Sequence, residues 1–309
     1  MSFGRTVLLR AAQNRWLRER APRYGFVKRG VARFMPGETP EDAFGAVREL
    51  QAKGIGAVLT ALGENVTDRA EADAVTQHYQ GVLEQIAARN IPAEISVKLT
   101  HLGLDLDAEF CFANVSRLIE RSPEGKTLWI DMEQSSYVDA TLGIYSRARA
   151  AKANVGVCLQ AYLRRTEEDL GKLLALGGAI RLVKGAYNEP AEVAFPRKRD
   201  VDENYYRLAQ TMLGEAARRS GLRAAIATHD RALIQRIFDW ALANGLRKSQ
   251  LEFQMLYGIQ RAEQQRLASE GCRSIVLVAY GSYWFPWYMR RLAERPANIL
   301  FLARNLFAE

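Results

Sequence analysis

Eight short runs rich in β-forming residues recur along the chain after Pro36, each followed by a longer segment of amphipathic, helical composition. They are Ala57–Glu64, Ile95–Gly103, Leu128–Gln134, Val155–Tyr162, Ile180–Tyr187, Ala224–Asp230, Leu251–Gly258 and Ser274–Gly281. Their starts lie 23 to 44 residues apart, room for one helix and two loops each time. Several runs are continuously apolar rather than alternating, the pattern of strands covered on both faces. Eight such units in 309 residues predict an α/β chain folded as a (β/α)8 barrel of the TIM type. An open doubly wound sheet would want a glycine-rich phosphate turn after its first strand, which Gly63-Glu64-Asn65 does not supply.

Seven of the eight runs are apolar at first and reach a polar residue near their end: Glu64, Lys98, Asp131, Gln160, Lys184, His229 and Gln254. Barrel interiors are filled by packed side chains, so these groups belong at the carboxyl-end mouth, where barrel enzymes keep their chemistry. Any one of them could be a rim salt bridge. Seven converging on one end read as a site.

The composition, 48% hydrophobic and 25% charged, is that of a globular chain with material for one large core. Cys111, Cys158 and Cys272 lie far apart with no CxxC pair, which argues against a disulfide framework or structural zinc and for a reducing cytoplasm. The net charge of +8 has one address, because residues 1–36 carry nine bases and a single acid, Glu19. That segment reads as a basic helical arm ahead of a catalytic barrel over 37–309. It is either a solvated face packed on the barrel or a peripheral contact with the anionic inner face of a membrane. Nucleic acid is disfavoured, as no stacking-aromatic or groove-reading motif accompanies the charge. No apolar run approaches the length needed to cross a bilayer, and Val7-Leu8-Leu9 is too short for a secretory core.

Several chemistries drop out. The three histidines, His78, His101 and His229, have no HxH or HxxxH spacing, so no metal site is expected. No GxSxG motif supports a nucleophilic serine. Lys98 or Lys184 could form a Schiff base, but the loops after the last two strands look bulky for a phosphate cup. The stretch Trp284 to Arg295 is more informative. Pro286 suits a first helical turn, and Arg290 and Arg291 can hold a carboxylate in forked geometry if that helix approaches the mouth. Around them Tyr280, Tyr283, Trp284, Phe285, Trp287 and Tyr288 offer packing for a small ligand or a cofactor ring.

These residues resemble a known family. Arg181-Leu182-Val183-Lys184-Gly185-Ala186-Tyr187, with Gln160-Ala161-Tyr162 one strand earlier and Arg290-Arg291-Leu292-Ala293-Glu294 near the end, is similar to proline dehydrogenase in its stand-alone bacterial form. Ser96-Val97-Lys98, Asp131-Met132-Glu133, Thr228-His229-Asp230 and Glu252-Phe253-Gln254 fit the same family in order. The resemblance implies a distorted barrel whose last helix closes the carboxyl-end mouth. It implies an FAD enzyme that takes a hydride from C5 of L-proline, giving Δ1-pyrroline-5-carboxylate, with a quinone as electron acceptor. In that reading Lys98, Arg290 and Arg291 hold the substrate carboxylate, while Tyr187, Leu256 and Tyr280 line the proline ring. Asp131 orients Lys98 or neighbouring polar groups, Arg181 lies near the reactive flavin nitrogen, and Glu64 is a gate pairing with one of the two arginines. Met132, Gln160, Arg181, Lys184, Gly185, Ala186, Thr228, His229 and Glu294 contact the flavin.

The family's eighth strand usually reads Tyr-Val-Pro-Tyr-Gly, where this chain has Leu277-Val278-Ala279-Tyr280-Gly281. Leu277 removes an aromatic wall and a hydroxyl. Either the pocket is roomier there, or a shifted register lets Tyr280 fill the gap. Two other functions remain open at this level: oxidation of another small cyclic amine or amino acid, and a catalytically silent barrel that binds small anions.

Overall fold

The computed structural model describes residues 30–151, 154–285 and 287–289. Eight parallel strands close into a barrel in chain order. They are β1 (Gly56–Ala61), β2 (Ala93–Val97), β3 (Leu128–Ile130), β4 (Val155–Gln160), β5 (Ala179–Val183), β6 (Arg223–Ala227), β7 (Glu252–Leu256) and β8 (Arg273–Tyr280). The seam between β1 and β8 runs in parallel register from Gly56↔Ile275 to Ala61↔Tyr280. The predicted barrel is therefore the observed one.

The strands stop before the polar ends of their runs. Lys98, Asp131, Lys184 and Thr228 each follow directly on the last strand residue. The runs looked longer because residues just past the ladder still pack against the barrel: Leu62, Leu99, Met132 and Ala161 are all buried. At three of the helix starts that follow strands, a short polar side chain satisfies a free amide of the first turn. Asp68 accepts from Glu71 N–H, Asp107 from Phe110 N–H and Asp230 from Leu233 N–H. Those caps begin α2 (Arg69–Ala88), α3 (Ala108–Arg121) and α8 (Arg231–Ala243), counting α1 as Pro40–Gln51 ahead of β1. Thr39 and Asp42 form a reciprocal capping box at the start of α1.

The core has two shells, as a barrel requires. Leu59, Ile95, Val97, Ile130 and Leu182 belong to the outer shell between strands and helices. The inner shell is Val58, Trp129, Ala179, Ala225 and Ile275, with Leu277 packed against it. Trp129 dominates that inner layer and is fully buried. It fits because Gly156 faces it: a Cβ at Gly156 would lie 2.6 Å from the indole Cε3. Nearer the amino ends of the strands the barrel is charged. Arg223 bonds Glu94 through Nη1 at 2.5 Å and Glu252 through Nε at 2.9 Å, so each buried charge has an opposite partner.

A third cluster sits at the mouth. Val31, Phe34 and Met35 pack against Leu62, Ile259, Trp284, Phe285 and Tyr288. The indole Nε1 of Trp284 donates to Glu38 at 2.9 Å. Gly258 makes the approach possible: its φ is +76°, and a Cβ there would lie 1.7 Å from the Arg33 carbonyl oxygen. The described part of segment 1–36 thus packs on the helix that follows β8. The remainder of that basic segment lies outside the described residues.

Candidate active site

The carboxyl ends of the strands enclose a cavity of about 790 Å³, a volume typical of small-molecule and cofactor sites. Arg181, from β5, lies in its wall and is itself buried. Its Nε donates to Gln254 Oε1 at 2.7 Å, and its Nη1 donates to Asp131 Oδ1 at 2.8 Å and to the Ser96 hydroxyl at 3.0 Å. Strands β2, β3, β5 and β7 thereby converge on one guanidinium. The second amino group, Nη2, is buried and has no hydrogen-bond partner. A buried cationic N–H without an acceptor is costly, so a ligand oxygen or nitrogen belongs there.

A second such atom lies nearby. Gln160 donates its amide to the carbonyl oxygens of Met132 and Glu133, while its own Oε1 is buried and unpartnered in the cavity wall. Met132 lines the cavity beside it. Glu133 points away, accepting from Thr100 N–H at 3.1 Å and from the Thr100 hydroxyl at 2.6 Å. Burial pushes the Glu133 carboxyl above its ordinary range, against those hydrogen bonds and the charge of Lys98.

The turn after β5 carries the most sharply shaped part of the wall. Gly185 has a φ of +110°, and a Cβ there would lie 2.2 Å from Tyr162 Cδ1, so only glycine fits. Lys184 next to it donates to Asp202 at 2.5 Å and Asp230 at 2.9 Å. Burial would raise the Asp230 carboxyl, but Lys184 outweighs it and holds the group down at about 2. Gly185, Ala186 and Tyr187 all line the cavity. On the next strand, Thr228 and His229 do too. His229 Nε2 accepts from the Leu256 N–H at 3.0 Å, so a neutral ring carries its proton on Nδ1.

Lys98 faces the cavity from β2, with its Nζ 3.8 Å from Glu64 Oε2 and 3.4 Å from the Gly63 carbonyl. Opposite the polar groups the wall is apolar, formed by Leu62, Leu256, Leu277 and Trp287. Trp287 brings the helix after β8 to the mouth.

One placement differs from the sequence reading. Tyr280 is not in the cavity wall: it is buried on the outer side of β8, where its hydroxyl meets His78 Nε2 at 2.8 Å. Side chains alternate along a strand, so Leu277, three residues earlier, faces in and Tyr280 faces out. The register does not shift to refill the gap. Of the two alternatives for Asp131, the structure has the neighbouring polar groups: it is fixed on Arg181 and Ser96, not on Lys98. Glu64 bonds Lys98, whereas Arg290, Arg291 and Glu294 lie outside the described residues. Two contributors were invisible in the sequence. Trp129 carries no signal beyond that of a strand residue, and Asp202, on α6 (Lys198–Leu213), carries no motif that links it to Lys184.

The proline dehydrogenase family pattern matches residues 43–304. The chain is similar to proline dehydrogenase 1 of Bacillus subtilis subsp. natto, 38% identical over 303 residues and covering 98% of both chains. The proline dehydrogenase of Deinococcus radiodurans is 37% identical over 280 residues, 89% of each chain. In three dimensions it is similar to proline utilization A of Bdellovibrio bacteriovorus inactivated by N-propargylglycine, with a TM-score of 0.82 at 24% identity. That match covers 91% of this chain and 34% of the other, and it speaks to the fold.

Proposed function

The chain belongs to the proline dehydrogenase family, and from that premise we propose how its cavity carries the reaction. It oxidises L-proline, the first step of proline catabolism. The family implies a flavin, and we take it to be FAD. The observation that carries this reading is the Arg181 guanidinium, aimed by three strands and left with a buried, unpartnered Nη2 at the cavity. Gln160 Oε1 is a second orphan in the same wall, and Gly185 clears the backbone for close approach. A bound flavin would supply the acceptor for the hydride that leaves C5 of proline.

Arg181 and Gln160 would meet the polar edge of the flavin ring, and Met132, Lys184, Gly185, Ala186, Thr228 and His229 would hold the rest, with Glu294 from the last helix. A fixed cation beside the ring favours the negative charge that reduction places on it. Asp131 acts through Arg181, locking its orientation before substrate arrives. Lys98 would take the substrate carboxylate together with Arg290 and Arg291. Tyr187 and Leu256 would face the proline ring, with Leu277 where the family has a tyrosine. A cation-lined site disfavours a further positive charge, so the amine reacts in its neutral form. Glu64, held by Lys98 in this structure, is placed to exchange partners when a carboxylate enters.

We also infer that the electron acceptor is a membrane quinone. The bases in residues 1–36 would draw the protein to an anionic inner leaflet. Among the described residues no helix is long and apolar enough to cross a membrane. Purified protein should be yellow, and its visible band should bleach on anaerobic addition of proline. A colourless protein that cannot be loaded with FAD would sink the flavin reading.

A further inference from the structure

Arg181 is held by hydrogen bonds at Nε and Nη1, and its guanidinium also lies over an aromatic ring. Its guanidinium carbon lies 4.5 Å from the Trp129 ring centroid. A second guanidinium, Arg223, lies 5.1 Å from the Trp129 rings. Trp129 is fully buried, and its Nε1 donates to Glu94 Oε2 at 2.8 Å. Glu94 is itself fixed by Arg223. The indole is therefore tethered from the amino-end half of the barrel and presents its π system to the guanidinium in the carboxyl-end half. Gly156 gives it room on β4.

Such an arrangement is unusual for an inner barrel layer, which branched aliphatic side chains ordinarily fill. Aliphatic packing would suffice for stability. An aromatic ring under the cation adds something else: it favours one plane for the guanidinium, reinforcing what the hydrogen bonds at Nε and Nη1 set. That plane determines where the unpartnered Nη2 points.

We propose that Trp129 is a positioning residue for the proline oxidation, acting through Arg181 by fixing the plane of its guanidinium. The proposal rests on the placing of Arg181 beside the flavin. Glu94 belongs to the same device, because it holds the indole edge. Neither residue reaches the cavity; both act one layer below it.

The test uses flavin-loaded, full-length protein assayed with a soluble dye acceptor. Trp129→Met keeps apolar volume and removes the π face; Trp129→Phe keeps a ring. Loss of aim affects charge developing in the transition state, so Trp129→Met should lower kcat about tenfold with KM for proline changed less than about twofold. The absorption band of its bound flavin should shift, and Trp129→Phe should stay within about threefold of the parent. On an Arg181→Lys background, Trp129→Met should cause no further loss, because the two act as one unit.

Full additivity, or a Trp129→Met protein with unchanged kcat and only a lower melting temperature, would overturn the proposal. If that variant does not fold, Glu94→Gln serves instead, and an unchanged kcat there has the same force. One readout is independent of flavin. In the apoprotein the Arg181 Nε–H resonance, identified by its loss in Arg181→Lys, should carry an upfield ring-current shift that Trp129→Met abolishes. If wild-type protein takes up no flavin, the flavin reading fails, and this resonance alone decides the stack. An unshifted resonance in the parent counts against it.

Discussion

Arg181 Nη1 and Asp131 Oδ1 meet at 2.8 Å, and the same carboxylate oxygen accepts the Ser96 hydroxyl at 2.8 Å. Ser96 in turn accepts from that Nη1, closing a triangle drawn from β5, β3 and β2. An ion pair this buried on one side is stabilising only while both members are present.

Asp131→Ala should therefore cost about 3 kcal/mol of stability and lower kcat more than tenfold, since it leaves the buried guanidinium unbalanced. Asp131→Asn keeps an acceptor at Oδ1 and should lie between parent and alanine in both. Melting temperature and steady-state kinetics on the two variants check the order. Equal losses in both would show that charge alone matters.

Gly185→Ala should destabilise by about 3 kcal/mol, combining a positive φ with a collision against the Tyr162 ring, and should weaken FAD binding. Gly143, within α4 (Val138–Ala151), has nothing within 4 Å of a built Cβ. Gly143→Ala should instead stabilise by about 0.5–1 kcal/mol. Thermal melts and flavin titration separate the two glycines.

His101 gives stability a pH slope. Burial, then the charge of Lys98, lowers its pKa from 6.5 to about 4. The unfolded chain takes up the proton first as pH falls, so this contribution is full above 6.5 and is lost between 6.5 and about 4. It amounts to about 3 kcal/mol over the window. Glu133, raised by burial, works in the opposite sense above 4.5, its ordinary value. His101→Gln should therefore flatten the fall in stability below neutral pH, as denaturant melts at several pH values would show.

Leu277 faces the cavity without a hydroxyl or an aromatic surface. Leu277→Tyr should tighten proline binding, with KM falling about two- to tenfold, the worth of one aromatic contact, and kcat changing less. It should also reduce turnover of ring-substituted prolines. An unchanged KM would mean that the wall at 277 does not touch the substrate.

The two ends of the described chain share one cluster, so truncations should split sharply. Removing residues 1–29 spares every described member of that cluster. Removing 1–36 also takes Val31, Phe34 and Met35 from the core around Trp284, at about 1.5–3 kcal/mol for each buried side chain. Binding to anionic vesicles, measured on the shorter truncation, tests the membrane role of the bases separately.

Barrel and strand order were legible because eight β-rich runs at regular spacing admit few other closed arrangements. Strand ends were less so: Met132 and Ala161 are buried past the end of the ladder, and an apolar residue reads the same in sequence whether it lies in a strand or just beyond one. Lys98, Gln160, Lys184 and His229 could be placed because each lies near the end of an apolar run, where a polar side chain has only the mouth to face, whereas Arg181, second in its run, was marked only by the family resemblance. Tyr280 was misplaced because a one-residue parity decides between cavity and outer shell. Trp129 escaped notice because a tryptophan in a strand has the same signature whether it fills space or supports a cation. Asp202 lies on a helix, and its partnership with Lys184 depends on how that helix docks on the barrel.

The β1–β8 seam also dictates when this protein becomes an enzyme during its own synthesis. Gly56 finds its partner only when Ile275 has left the ribosome. Until then the first strand presents an open edge, and the nascent chain is a curved, unclosed sheet. The inner layer cannot seal around Trp129 before Ile275 and Leu277 arrive. A message truncated even shortly before the eighth strand should therefore yield no partial activity, because the product keeps an open edge where the ring would close.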